Sequence, residues 1–125
     1  MYKIFILIFV MHVVAGFFLQ SKKVSKLKRE KKRYLFLHVG IYTLFFIVFS
    51  PILLELTILQ GLVYSLINGV LHLGVDYVTG KFKTKYVDKT NLKYKITTVV
   101  DYTLHVSILI ITYLLLFKDS LIQWN

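Results

Sequence analysis

All four histidines of this chain, and three of its six acidic residues, sit inside apolar stretches. An ionisable side chain is costly there, needs a polar partner, and marks a candidate functional site. His12 lies in a first apolar segment and His38 in a second. A third carries Glu55, Asn68, His72 and Asp76, and a fourth carries Asp101 and His105. His72 and Asp76 are four apart and share one helix face. Asp101 and His105 have the same spacing in the reverse order, so on antiparallel helices the two pairs can oppose one another. At a rise of about 1.5 Å per residue from the basic end of each segment, His38 and Asp76 lie roughly 6 Å deep and Asp101 about 9 Å. His12 and His72 then lie at about 12 Å and His105 at about 15 Å. Six ionisable groups from four segments therefore occupy one slab, with Glu55 apart near the other end, where it is expected to reach headgroups.

Three chemistries fit such a slab. Neutral imidazoles and carboxylates inside a helical bundle suit a divalent metal such as zinc, manganese or iron, with His12, His38, His72, Asp76, Asp101 and His105 as ligand candidates. The same groups can satisfy one another as interhelical hydrogen bonds that fix the packing. They can also form a proton or cation path, for which Thr57, Gln60, Ser65 and Asn68 of the third segment would have to line the remaining depth.

The elements that must position these residues follow from composition. The chain has 125 residues, 57% of them hydrophobic, and a mean hydropathy of +0.68. A soluble domain of that size has too little interior to hide so much apolar surface, so the excess must face lipid. The pattern predicts an all-α, polytopic membrane protein: a four-helix transmembrane bundle forming a single domain over residues 1–125. The helices are expected at about 4–20, 34–49, 52–79 and 96–117, with an uncharged hairpin at Ser50-Pro51. The first could be read as a signal peptide, but it lacks an A-x-A-like cleavage site and its basic residues follow the apolar run. A retained helix is expected.

The formal charge is +10, from 16 Lys and Arg against 6 Asp and Glu. Fourteen of those sixteen cations fall in two loops, about 21–33 and 80–95. The first holds Lys22, Lys23, Lys26, Lys28, Arg29, Lys31, Lys32 and Arg33; the second holds Lys81, Lys83, Lys85, Lys89, Lys93 and Lys95. Only Lys3 and Lys118 remain for the other side, which places the loops in the cytoplasm and both termini outside, in a cytoplasmic (inner) membrane. Charge so segregated argues for topology over nucleic-acid binding. The first loop can also lie on anionic lipid headgroups as a charged helix. There is no cysteine, which excludes disulfides, thiolate metal sites and a Cys nucleophile. Tyr34, Tyr77, Tyr94 and Trp124 fit interfacial belts, and Gly40, Gly61, Gly69 and Gly74 suit close helix contacts. Four short helices enclose little interior, so a homo-oligomer or another membrane protein is a candidate partner.

The order of these residues resembles an uncharacterised family of small bacterial and phage membrane proteins catalogued as domain of unknown function 3307. The resemblance covers about Val10 to Leu116. It rests on H-x-x-x-D-x-x-x-Q in the first helix, a His near the start of the second, H-x-x-x-D at the end of the third and D-Q-x-x-H in the fourth. Here these positions read His12 to Gln20, His38, His72 to Asp76, and Asp101-Tyr102-Thr103-Leu104-His105. Gly16 replaces the first Asp and Tyr102 replaces the second Gln, so one candidate carboxylate is missing. The pattern is also similar to that of small inner-membrane proteins described as metal-dependent hydrolases. The resemblance implies a shared His/Asp slab and leaves activity open. A metal site would position water for hydrolysis of a membrane-proximal lipid or phosphate ester, with Gln20 and Tyr102 as supporting hydrogen-bonding residues. The alternatives are an interaction or envelope-modifying protein, of which phage-type exclusion is one form, and an ion pathway.

Overall fold

The computed structural model describes residues 2–18, 20, 22–28, 30–84 and 91–117, the side chains of 17, 18, 22, 25, 26 and 84 excepted. Arg29, Lys85, Lys89, Lys118 and Trp124, and the side chains of Lys22 and Lys26, lie outside that description. Every regular element among the described residues is helical. α1 spans Tyr2–Val13 and runs on as a π-helical turn, Val14–Phe18; α2 spans Lys22–Leu27, α3 Lys32–Leu53, α4 Ile58–Thr84 and α5 Leu92–Phe117. α3, α4 and α5 are each long and apolar enough to cross a membrane, and α1 is a shorter apolar helix. α3 packs on α4, α4 on α5, α5 on α1, and the π turn returns to α3, which closes a four-membered ring.

The helices begin and end where local chemistry dictates, and four of the expected boundaries move; α4 runs on to Thr84, so Lys81 and Lys83 are helical and not in a loop. The hairpin is at Leu54–Thr57, not at Ser50-Pro51. Pro51 removes only its own backbone donor, so α3 continues one further turn, with Leu54 N–H bonded to Ser50 O at 2.9 Å. Glu55 then turns left-handed (φ 54°), and Leu56 N–H reaches back to Pro51 O at 3.1 Å, a Schellman stop. α4 starts at Ile58 because Thr57 and Gln60 form a capping box. The Thr57 hydroxyl accepts from Gln60 N–H (3.1 Å) and Gln60 Oε1 accepts from Thr57 N–H (2.9 Å). Asn91 caps α5 through Lys93 N–H at 2.8 Å, so that helix opens at Leu92, a turn earlier than the apolar run.

The interior divides along its length. One half is apolar and aromatic: Ile4, Ile8 and Met11 of α1, Phe46 of α3, Tyr64 of α4, and Leu109, Tyr113 and Phe117 of α5. The other half is polar, and α5 shows the change within one stripe. Phe117, Tyr113 and Leu109 give way at the same four-residue spacing to His105 and Asp101. The outward faces carry large apolar side chains such as Leu44, Ile58, Val70 and Leu115. An apolar exterior around a partly polar interior is what lipid requires.

α3 and α4 approach closely at two glycines eight residues apart on one face of α4. A Cβ on Gly61 would stand 2.5 Å from Pro51 Cγ and 2.8 Å from Pro51 Cδ, and one on Gly69 would collide with Thr43. Gly40 and Gly74 do not serve this purpose, because a Cβ on either meets nothing within 4 Å.

Two substitutions test this architecture in detergent-solubilised protein. Gly61→Ala is expected to destabilise by about 1–3 kcal/mol, because the Pro51 ring cannot rotate away. Glu55→Gly is expected to stabilise by about 0.5–1 kcal/mol, since it relieves a left-handed residue that carries a Cβ. Chemical unfolding curves read both signs.

Candidate metal centre

Each helix of the ring delivers part of the polar half. His12 sits two residues before the π turn that follows α1, and His38 lies two turns into α3. His72 and Asp76 share the inner face of α4, and Asp101 and His105 that of α5. All six are buried, the most exposed at 7%. The reversed order of the two His/Asp pairs does bring them opposite each other.

Asp76 is the hub. Its Oδ2 lies 3.1 Å from His38 Nε2 and 3.2 Å from His72 Nε2, and those two nitrogens lie 3.0 Å apart. A neutral imidazole carries a single proton. Any proton assignment on this triangle therefore leaves two N–H groups, or two lone pairs, facing each other. A cation at the centre removes that conflict. Metal–nitrogen bonds of about 2.0–2.1 Å in a tetrahedral site hold neighbouring donors about 3.3 Å apart, close to the edges found here.

His105 meets the other oxygen of Asp76, with Nε2 at 3.2 Å from Oδ1. Its Nδ1 lies 2.7 Å from the backbone carbonyl of Asp101. A carbonyl only accepts, so Nδ1 carries the proton, and a neutral ring then aims the Nε2 lone pair at a carboxylate. Among the described residues neither His105 Nε2 nor Asp76 Oδ2 has a partner in hydrogen-bond geometry, despite these short distances. The same holds for the outer nitrogens His38 Nδ1 and His72 Nδ1. Ring orientation comes from packing instead: Tyr42 stacks on His72 at 4.0 Å with 9° between planes, and His105 leans on His72 at 4.1 Å.

Asp101 is held by a hydroxyl and a cation. Thr79 Oγ1 donates to its Oδ1 at 2.8 Å, and Lys83 Nζ stands 3.6 Å from its Oδ2. Lys28 Nζ stands 3.7 Å from Asp76 Oδ2. A cavity of about 240 Å³ runs from His12, His72 and His105 out to these two lysines, past Gly16, Thr98 and Tyr102.

Two groups of donors converge closely enough to hold a metal ion: His38, His72 and Asp76, and Asp76, Asp101 and His105. Asp76 belongs to both. His12 lines the cavity and stacks on His105 at 5.5 Å, while its Nδ1 pairs with Tyr42 Oη at 3.1 Å. It belongs to neither group. Tyr102 lines the same cavity. Gln20 does not; its amide donates to Ala15 O at 3.2 Å and His38 O at 3.3 Å, which ties the end of the first helix to α3. Thr57 and Gln60 are capping residues, and Asn68 pairs with Thr112 at 3.0 Å. Thr79 is the site residue that sequence reasoning missed, and Lys28 and Lys83, read there as loop cations, turn in to the site carboxylates. Thr79 lies one turn past His72–Asp76 on the same face, which was the available signal.

The chain belongs to the family described as protein of unknown function (DUF3307), whose model matches residues 4–124. Comparison with curated proteins and with solved structures returns no match.

Thr79→Val keeps the side-chain shape and removes the donor to Asp101. A double-mutant cycle with Asp101→Asn, read by unfolding of chelator-treated protein, is expected to show a coupling of about 1 kcal/mol. Additive effects would mean that the two side chains do not support one another.

Proposed function

We propose that this chain is a multi-pass protein of the cytoplasmic membrane that binds a divalent metal and hydrolyses a lipid or phosphate ester reaching it from the inner leaflet. The observation that supports this most is the triangle of His38 Nε2, His72 Nε2 and Asp76 Oδ2, three buried donor atoms that converge to within 3.0–3.2 Å of one another. Zinc, manganese or iron suits that donor set. When bound, such an ion supplies Lewis acidity and brings the pKa of water toward about 7.

The remaining steps belong to side chains. His105 lines the cavity with Nδ1 on the Asp101 carbonyl and Nε2 3.2 Å from Asp76 Oδ1, and would be the base that takes a proton from water. The water oxygen bonds to the phosphorus or acyl carbon, the ester bond to the leaving oxygen breaks, and the imidazolium returns the proton to that oxygen. Lys28 and Lys83 stand beside the carboxylates at the cavity mouth and favour an anionic substrate. Were a second ion bound, Asp76, Asp101 and His105 are the residues that would hold it.

Ion passage is the weaker reading. Beyond His72 the bundle is filled by Tyr42, Phe46, Tyr64, Leu109 and Tyr113, each at most 1% exposed. A conducting path would have to cross that layer.

Elemental mass spectrometry of the detergent-purified protein tests the proposal. Wild type is expected to carry about one zinc, manganese or iron per chain, and His72→Ala and Asp76→Asn to carry none. Chelation is expected to cost about 3–4 kcal/mol of stability, the linkage for an ion at several hundred times its Kd. A metal-free wild type indifferent to chelator would sink the proposal and leave the cluster as packing glue.

A further inference from the structure

The cavity that holds the His/Asp cluster does not end at Lys28. Lys28 and Asp76 also line a second hollow of about 180 Å³, whose walls include Lys31, Lys32 and Lys81. That hollow in turn shares Lys32, Leu35 and Tyr77 with a third, of about 370 Å³, on the outer face of α3 and α4. The third is apolar: Phe36, Val70, Leu73 and Gly74 complete its walls. Along one seam between α3 and α4 the surface thus changes from hydrocarbon-lined to strongly cationic to the buried carboxylate.

We infer that this seam binds an anionic phospholipid, with an acyl chain along Phe36, Val70 and Gly74 and the phosphate among Lys28, Lys32 and Lys81, next to Asp76. The inference deepens the hydrolytic reading, and rests on it only for the further statement that the bound lipid is the substrate. Charge complementarity selects the occupant. The middle hollow brings four lysines against Glu30 and Asp76, and Asp76 is already faced by three imidazoles. An adjoining groove, which shares Val70 and Gly74 and runs on past Val75, Val78, Leu104 and Ile108, has no lysine and gives a headgroup nothing to hold. Tyr77, 42% exposed, stands at the junction with Lys81 Nζ 4.4 Å from its ring centre, which directs that cation toward the headgroup level.

Gly74 keeps the apolar part open. It serves no helix contact, since a Cβ there meets nothing within 4 Å. A larger side chain can therefore fill the groove while α3, α4 and the metal donors keep their places.

Native mass spectrometry of the full chain in detergent, titrated with dioleoyl phosphatidylglycerol or dioleoyl phosphatidylcholine, tests the inference. Wild type is expected to retain one phosphatidylglycerol roughly tenfold more tightly than phosphatidylcholine. The double variant Lys32→Gln/Lys81→Gln is expected to lose that preference. Gly74→Leu is expected to weaken both lipids severalfold with unchanged metal content and unfolding midpoint. Equal affinity of wild type for the two lipids, or undiminished phosphatidylglycerol binding in both variants, overturns the inference. Metal content measured on the same samples separates the two proposals. A metal-free protein that still prefers phosphatidylglycerol upholds the lipid seam and removes hydrolysis, whereas a metal-loaded protein without the preference does the reverse.

Discussion

A carboxylate in the interior of a bundle built for lipid is the constraint around which this molecule is arranged. Left without partners, Asp76 would cost several kcal/mol in lost hydration. Its environment answers that cost from every side: His38 from α3, His72 from its own helix, His105 from α5 and Lys28 from the segment after α2. The partners over-answer it. Three imidazoles crowd one carboxylate, and that convergence of ligand-type atoms on a single oxygen pair distinguishes the cluster from ordinary interhelical hydrogen bonding such as Asn68 with Thr112.

Such a cluster persists only if the helices are fixed by something else. That role falls to the apolar half, where interdigitated aromatic rings and the close approach at Gly61 and Gly69 set how α4 lies against α3. Because α4 carries both His72 and Asp76, its seat against α3 places the hub relative to His38. Tyr42 belongs to both halves. It packs on Phe46 in the apolar core at 4.8 Å and stacks on His72 while meeting His12 through its hydroxyl. Stability and site chemistry are therefore segregated along the bundle axis and joined at one aromatic layer.

Much of this was legible in the sequence. The all-helical bundle, the burial of all four histidines and the opposition of His72–Asp76 with Asp101–His105 follow from periodicity and from the price of polarity in lipid. What misled was reading boundaries from hydropathy alone. Ser50-Pro51 looked like a turn because proline breaks helices, but a proline one turn from a C-terminus removes little, and the sharper signal was the T-x-x-Q box at Thr57. Four glycines looked alike, yet only Gly61 and Gly69 face a neighbouring helix, which sequence periodicity does not specify. His12 shares the slab by depth, but its ring nitrogen goes to Tyr42; depth fixes one coordinate of a side chain, and rotation about the helix axis fixes the other.

The lysines carry the last step. Counted along the sequence they read as a topology signal, but Lys28 and Lys83 each turn in toward a site carboxylate. At 3.7 and 3.6 Å, and with partly exposed ammonium groups, these pairs add little to stability. Their consequence is electrostatic. Each sets a positive charge beside a carboxylate that the bundle interior would otherwise leave to imidazoles and a hydroxyl. Charge that along the sequence reads only as a topology signal is thereby placed, in the fold, where it balances the buried carboxylates of the site.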